Sequence, residues 1–433
     1  MSGYTKMKHI VYRNITLKSV LLLVAASIVI ASTLFISHIN LHGDYEGFKA
    51  LSIANPGFSG AWHVAIQKYL HWSSRFLIEF SVVYFAGHLF LWGIITVVSL
   101  MVIAQAMFSF SKYSVPFNQR TLIGMAFFLF IFPVHLLDSA GVFATTINYE
   151  WPVASFILGL YLTKRALRAS GFKKILCFGV GLLFLLFSIN SEQVSVFMIV
   201  FGGLNVLVNY RKQGLINNDI VVVILGMLGA ANAKLAPGNA LRMASEIKSW
   251  WPGFNDVQFY IKAEGIFQLG MKWLLDGNIL FVAVLLVFMF NFYINNKRTW
   301  FIVSTMFTLM LLFPEESGVK TLLISNIQNS IHGTAFNSNL SIHVVGPLFV
   351  DFILFGILVL VVGMFISAFR YDSNFQLLSI LAISAFSTWG MMILSPTMIV
   401  SRSRPMTIFA LLMILIVLDK GILPFLKNKT TNA

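Results

Sequence analysis

The sequence predicts an all-α, polytopic membrane protein of about 12 transmembrane helices, with short interfacial helices in the loops of one face. Three observations predict it. The 433 residues are 58% hydrophobic and only 11% charged, with 42 phenylalanines, where a soluble domain carries about 25% charge. Apolar runs long enough to approach the roughly 20 residues of a bilayer crossing recur along the whole chain. Basic residues gather in short loops on alternate sides of those runs, as the positive-inside rule requires. The gaps between runs are too short for a soluble domain, so residues 1–433 read as one multi-span membrane domain.

The expected spans lie near 18–37, 87–108, 121–137, 144–163, 175–190, 193–209, 219–235, 277–294, 299–314, 346–368, 375–394 and 405–424. The first follows Lys6, Lys8, Arg13 and Lys18, and no small-residue cleavage site comes after it, so it reads as an uncleaved helix rather than a removed signal. A cytoplasmic N-terminus puts most of the 30 Lys and Arg on the inside, and of the 16 acids only Asp219, Asp372 and Asp419. Both termini are then expected in the cytoplasm, with the long loops at 38–86, 236–276 and 315–345 on the outer face.

Those loops have their own periodicity. Trp62, Ile66, Tyr69, Trp72 and Phe76 recur at steps of three and four, which predicts a helix along the membrane surface. The stretch 257–275, after Trp250-Trp251-Pro252, predicts a second. The net charge of +14 follows from basic flanks of membrane helices and does not call for nucleic acid. The single cysteine, Cys177, can form neither an internal disulfide nor a metal cluster. There is no P-loop and no glycine-rich dinucleotide turn, so a cytosolic nucleotide donor has no support.

Candidate chemistry gathers at the outer ends of the spans. Asp44-Tyr45-Glu46 follows the first span directly, and two carboxylates there suit a general base with a helper; the plainer reading is a solvated turn after Gly43. His38 and His42 stand four apart, and with Asp44 and Glu46 they could hold a divalent metal, or they could donate hydrogen bonds to those acids. Their spacing is no zinc signature, and no cofactor is expected. Trp72-Ser73-Ser74-Arg75 brings a planar guanidinium suited to phosphate, or one that pairs with Glu79 four residues on. Asn148-Tyr149-Glu150-Trp151-Pro152 sets aromatics beside a carboxylate, as sugar-binding surfaces do and as ordinary belt aromatics also would. Glu192 lies in a turn so short that it is held near membrane depth. Pro237-Gly238-Asn239-Ala240-Leu241-Arg242 breaks the seventh span and offers backbone donors with an arginine. Arg402 and Arg404 open the last span on the face that otherwise avoids positive charge, which fits phosphate binding or contact with lipid headgroups.

An acidic pair after the first span, an outward Trp-x-x-Arg, an outward Asn-Tyr-x-Trp-Pro, a glutamate in the next outer turn and a Pro-Gly-Asn-x-x-Arg element together resemble polytopic glycosyltransferases of the GT-C type. The chain most resembles the phage- and bacteria-encoded O-antigen glucosyltransferases that change serotype, over most of its length. That family often has glycine before the first-loop arginine, where Ser74 stands here. The resemblance implies transfer of a glucosyl or other hexosyl residue from an undecaprenyl-phosphate sugar to lipid-linked O-antigen, the step of lipopolysaccharide modification behind serotype conversion. The site would be on the periplasmic face of the inner membrane, with a donor-lipid synthase and a flippase as associated partners. It implies Asp44 and Glu46 as the essential carboxylates. Arg75, Arg242, Arg402 and Arg404 would clamp the donor phosphate, while Trp72, Asn148, Tyr149, Glu150, Trp151, Glu192 and Asn239 hold sugar or acceptor. Two other readings stand beside it: an O-antigen polymerase, which would depend on arginines of large outer loops, and a lipid-linked-sugar flippase or other transporter, which would place charge at the bilayer midplane.

Overall fold

The computed structural model describes residues 43–110, 141–213, 217–276, 278–312, 345–398, 401 and 404–422, with short pieces between 28 and 36. Among them the secondary structure is helical throughout, with no strand. In chain order the helices are α1 (Tyr45–Ala54), α2 (Gly57–His71), α3 (Phe76–Ala86) and α4 (Leu89–Phe110). A short helix, Val142–Thr145, and a π-helical turn, Thr146–Glu150, lead into α5 (Trp151–Leu167). Then come α6 (Gly171–Ser188), α7 (Glu192–Gln213), α8 (Asn217–Leu235), α9 (Pro237–Trp250), α10 (Phe259–Leu275), α11 (Ile279–Ile294) and α12 (Arg298–Leu312). The chain continues with α13 (Val345–Phe369), α14 (Phe375–Gly390) and, after two 3₁₀ turns, α15 (Thr407–Val417).

Among the described residues, six helices are long and apolar enough to cross a membrane, lying within α4, α6, α7, α8, α13 and the α14 region. A seventh crossing results if α10 and α11, bent by 71°, count as one span. The described residues therefore contain six or seven of the twelve crossings that hydropathy predicts. The expected spans at 277–294 and 299–314 form helices of 16 and 15 residues, and the one at 144–163 is interrupted by the π turn. The run at 121–137, most of the run at 18–37 and the loop stretch 315–344 lie outside the described residues.

Close packing follows from small residues at helix contacts, which let apolar helices approach where lipid offers no hydrophobic drive. A Cβ at Gly159 of α5 would stand 2.9 Å from the Gly181 carbonyl of α6, so these two helices meet backbone to backbone. The predicted helical periodicity of the first long loop is present: α2 buries Ala61, Val64 and Ala65 and exposes Phe58, Trp62, Ile66 and Leu70 one turn apart. That is the stripe of a helix lying on an apolar surface.

Contacts between loops respect the charge pattern. Lys420 pairs with Asp372, and Lys297 reaches the carbonyl and, at 3.3 Å, the hydroxyl of Ser367. All four belong to turns that the charge pattern assigns to one face. The turns assigned to the other face meet one another around Arg75.

Candidate functional site

Arg75 sits at the N-cap of α3, with a non-helical backbone (φ −85°, ψ 53°). From there its guanidinium turns away from its own helix. Nε donates to Glu192 at 2.8 Å, Nη2 lies 2.7 Å from the same oxygen, and Nη1 donates to Asn148 Oδ1 at 3.0 Å. The expected alternative, an Arg75–Glu79 pair along one helix, is not formed. The Glu79 N–H does donate to the Arg75 carbonyl at 2.8 Å, but the non-helical backbone of Arg75 sends its side chain off the helix, and the Glu79 carboxylate pairs with Lys68 of α2 at 2.9 Å. Burial opposes the charge of Arg75, but the Glu192 carboxylate outweighs it and holds the guanidinium above its usual pKa.

Ser74, only 2% exposed, joins the remaining pieces. Its hydroxyl donates to the second Glu192 oxygen at 3.3 Å and accepts from Asn239 Nδ2 at 3.2 Å. Its backbone N–H donates to Asn239 Oδ1 at 3.2 Å, and its carbonyl accepts from Asn232 at 3.0 Å. Asn232 also accepts from the Tyr69 hydroxyl at 2.9 Å. Asn190 caps α3 from the turn between α6 and α7, accepting from the Leu77 N–H at 3.0 Å. Gly238 makes this approach possible: a Cβ there would fall 2.4 Å from the Trp72 nitrogen and 2.7 Å from that of Ser73. The Pro-Gly-Asn break is therefore a docking edge, with Pro237 in the first turn of α9 and Asn239 over Ser74.

Of the residues selected by sequence, Arg75, Asn148, Glu192 and Asn239 thus meet in one hydrogen-bonded cluster. Tyr149 lies close enough to interact with the Arg75 charge, and Trp72 stands at the rim, 42% exposed. Arg242 is near enough to Glu192 for their charges to interact, but its direct partner is Glu246 of its own helix, at 2.7 Å. Ser74, Asn190 and Asn232 were not selected as site residues. The signal for Asn232 was an amide isolated in an apolar run, which needs a partner wherever it is buried.

Other selected residues lie elsewhere. Glu150, 1% exposed, turns toward α4 and hydrogen-bonds the Ser99 hydroxyl, and its other oxygen is buried with no partner among the described residues. Trp151 follows it, donating to Thr96 at 3.1 Å and packing edge-on against Phe85. Asn148 and Glu150 are two residues apart, which places them on nearly opposite sides of a helical turn, so Asn148 faces Arg75 while Glu150 faces the bundle.

Asp44 and Glu46 sit at the N-cap and in the first turn of α1, both exposed, with no side-chain hydrogen bond or ion pair among the described residues. Tyr45 between them is buried and donates to the Ala86 carbonyl, at the last residue of α3. Arg75 precedes the first residue of that 11-residue helix, which at about 1.5 Å per residue is about 16 Å long. The two acids therefore stand about one length of α3 from the Arg75 cluster. A bridge connects the regions: Lys68 places its ammonium 4.6 Å from the ring centre of Phe48 on α1 and pairs with Glu79.

Arg404 lies in a 3₁₀ turn, with Nε donating to the Ser401 carbonyl at 3.3 Å. The turn is tied to α7 by Gln193, whose amide donates to the Pro405 carbonyl at 3.4 Å. His38, His42 and Arg402 lie outside the described residues. Among the described residues no three His, Cys, Asp or Glu side chains group to hold a metal ion. No family model, curated protein or solved structure matches this chain.

Proposed function

We propose that the chain is a membrane glycosyltransferase that moves a hexosyl residue from a polyprenyl-phosphate sugar to a lipid-linked surface glycan, such as O-antigen, at the periplasmic face of a bacterial inner membrane. One observation supports this reading most. The first long loop leaves two carboxylates, Asp44 and Glu46, exposed and without a partner among the described residues, while three sequence-distant segments lock its other end.

In this reading one α1 carboxylate removes the proton of an acceptor hydroxyl. The hydroxyl oxygen forms the new bond to the anomeric carbon, the bond from that carbon to the phosphate oxygen breaks, and polyprenyl phosphate leaves with the electron pair. Phosphate is a good leaving group, so no strong general acid is needed. The second carboxylate holds the acceptor. Glu192 and Arg75 neutralise one another and fix the loop, with Asn148 and Asn239 as supports.

The test is compositional and linkage analysis of surface polysaccharide from cells carrying the protein or its variants. Asp44→Asn and Glu46→Gln should each abolish the added sugar, with membrane insertion unchanged. Full activity in both variants would end the carboxylate assignment, and a surface glycan identical with and without the wild-type protein would end the reading itself.

A further inference from the structure

Polar side chains line the contact between α4 and the π turn before α5, and most of them are satisfied. Trp92 Nε1 donates to Thr146 Oγ1 at 3.0 Å, and that hydroxyl donates to the Phe143 carbonyl at 2.9 Å. Trp151 Nε1 donates to Thr96 Oγ1 at 3.1 Å. Two oxygens are exceptions. Glu150 and Thr145 are each 1% exposed, and Glu150 Oε2 and Thr145 Oγ1 have no hydrogen-bond partner among the described residues. Unpaired polar atoms are costly in so apolar an interior.

The two oxygens belong to one face of the turn. The Trp151 N–H reaches back five residues to the Thr146 carbonyl. Thr146 and Trp151 meet Trp92 and Thr96, which stand four apart on α4. Residues five apart therefore share a face here, where four would do so in an α-helix. Thr145 and Glu150 are the adjacent pair with that spacing. Side chains on a helix lean back over the preceding turn, which directs the Glu150 carboxyl toward Thr145. The oxygens do not bond one another, so they stand farther apart than a hydrogen bond.

Ser99 fixes the proton count at Glu150. Its hydroxyl has one hydrogen and donates it to the Thr96 carbonyl at 2.9 Å, a group that can only accept. The hydrogen between Ser99 and Glu150 Oε1 then has to come from the carboxyl. Oε1 carries the proton, and Oε2 remains as an acceptor. Glu150 takes part in no ion pair among the described residues, which a buried carboxylate would require.

We infer that Glu150 is held as the neutral carboxylic acid, and that Glu150 and Thr145 bind one internal water, which donates to Oε2 and accepts from the Thr145 hydroxyl. The water gives each oxygen the partner that the protein does not. The neutral acid joins α4 to α5 without bringing a charge into the bundle. This assignment is independent of the glycosyltransferase reading.

The experiment is infrared difference spectroscopy of the purified full chain in detergent, at about pH 8, where an exposed glutamate is ionised. Wild type minus Glu150→Gln should show a protonated-carboxyl carbonyl band that moves in heavy water and on isotopic labelling of glutamate. Thr145→Val should shift that band to higher frequency, because the carbonyl loses its water. A water O–H stretch that moves in heavy-oxygen water should be present in wild type and missing from Thr145→Val. Thr308→Val, which removes a buried hydroxyl bonded within α12, should leave both bands in place. Ser99→Ala should shift the carbonyl band from the acid's O–H side, which identifies it if Glu150→Gln does not fold. Loss of only an ionised-carboxylate band in Glu150→Gln overturns the neutral acid, as does a Ser99→Ala spectrum with no shifted carbonyl band. An unshifted carbonyl band in Thr145→Val, or a wild-type spectrum without the water stretch, overturns the water.

Discussion

The two ends of the first long loop use charge in opposite ways. At the α1 end, Asp44 and Glu46 are exposed and have no side-chain partner among the described residues, while Tyr45 between them anchors the turn. At the α3 end, Arg75 gives each of its three nitrogens to a protein acceptor, and Ser74 uses its hydroxyl, N–H and carbonyl together. A group that must exchange a proton with a substrate has to be uncommitted and reachable. A group that holds four segments in register has to be saturated, because an unpaired charge in low dielectric is expensive. The same residue types therefore divide into open groups and scaffold according to whether the protein has already answered them.

The division can be broken from either side. The largest effect on folding is expected from Glu192→Gln, which leaves Arg75 without its counter-charge. Each side chain keeps 19% of its surface, so the loss should be about 3 kcal/mol, at the lower edge of the range for a buried pair. Thermal unfolding in detergent measures it, and a variant as stable as wild type would mean that the cluster is not a scaffold. Gly238→Ala comes next, at about 1–3 kcal/mol, since the new methyl group would meet backbone nitrogens of Trp72 and Ser73. The same unfolding assay, paired with protease sensitivity of the α2–α3 turn, reads it; tolerance of alanine would show that α9 docks elsewhere.

A smaller change is expected for Asn232→Ala. It strips a partner from the Tyr69 hydroxyl and from the Ser74 carbonyl, for about 1 kcal/mol. Combining it with Tyr69→Phe should cost less than the sum of the two, and strict additivity would deny their coupling. Smallest of all are Asp44→Asn and Glu46→Gln, whose effect on stability should stay within about 0.5 kcal/mol because neither carboxylate has a partner to lose. A destabilisation of several kcal/mol in either would move the acids from the chemical side of the comparison to the structural side.

How far the sequence could be read depended on the distance over which each residue is satisfied. Helix throughout, an amphipathic α2 and the break at Pro237-Gly238 depend on neighbours a few residues away, and periodicity shows them. Arg75, Asn148, Glu192 and Asn239 were recognisable as misfits, being polar groups at the ends of apolar runs. Their partners were not recognisable, because local spacing offers Arg75 only Glu79, four residues on, whereas its acceptors lie at 148 and 192. Glu150 shows the other limit. Close to Asn148 and Tyr149 in sequence, it reads as part of the same surface, but the helical turn that holds all three sends it to the opposite side, toward Ser99. Hydropathy likewise counts apolar length without regard to bends, which is why the run at 144–163 looks like one unbroken span.

The sequence by itself determined that this chain is an α-helical membrane protein and which polar residues had to be explained, since composition and period carry both facts. Tertiary structure alone decided which of those residues are neutralised inside the protein and which are left open. Among described charges near the loop, Arg75, Arg242, Glu79 and Glu192 are paired, while Asp44, Glu46 and the terminal nitrogens of Arg404 are not. The physical reason is that neutralisation requires two charges within about 4 Å, and for Arg75 and Glu192 only the packing of separate helices brings them that close.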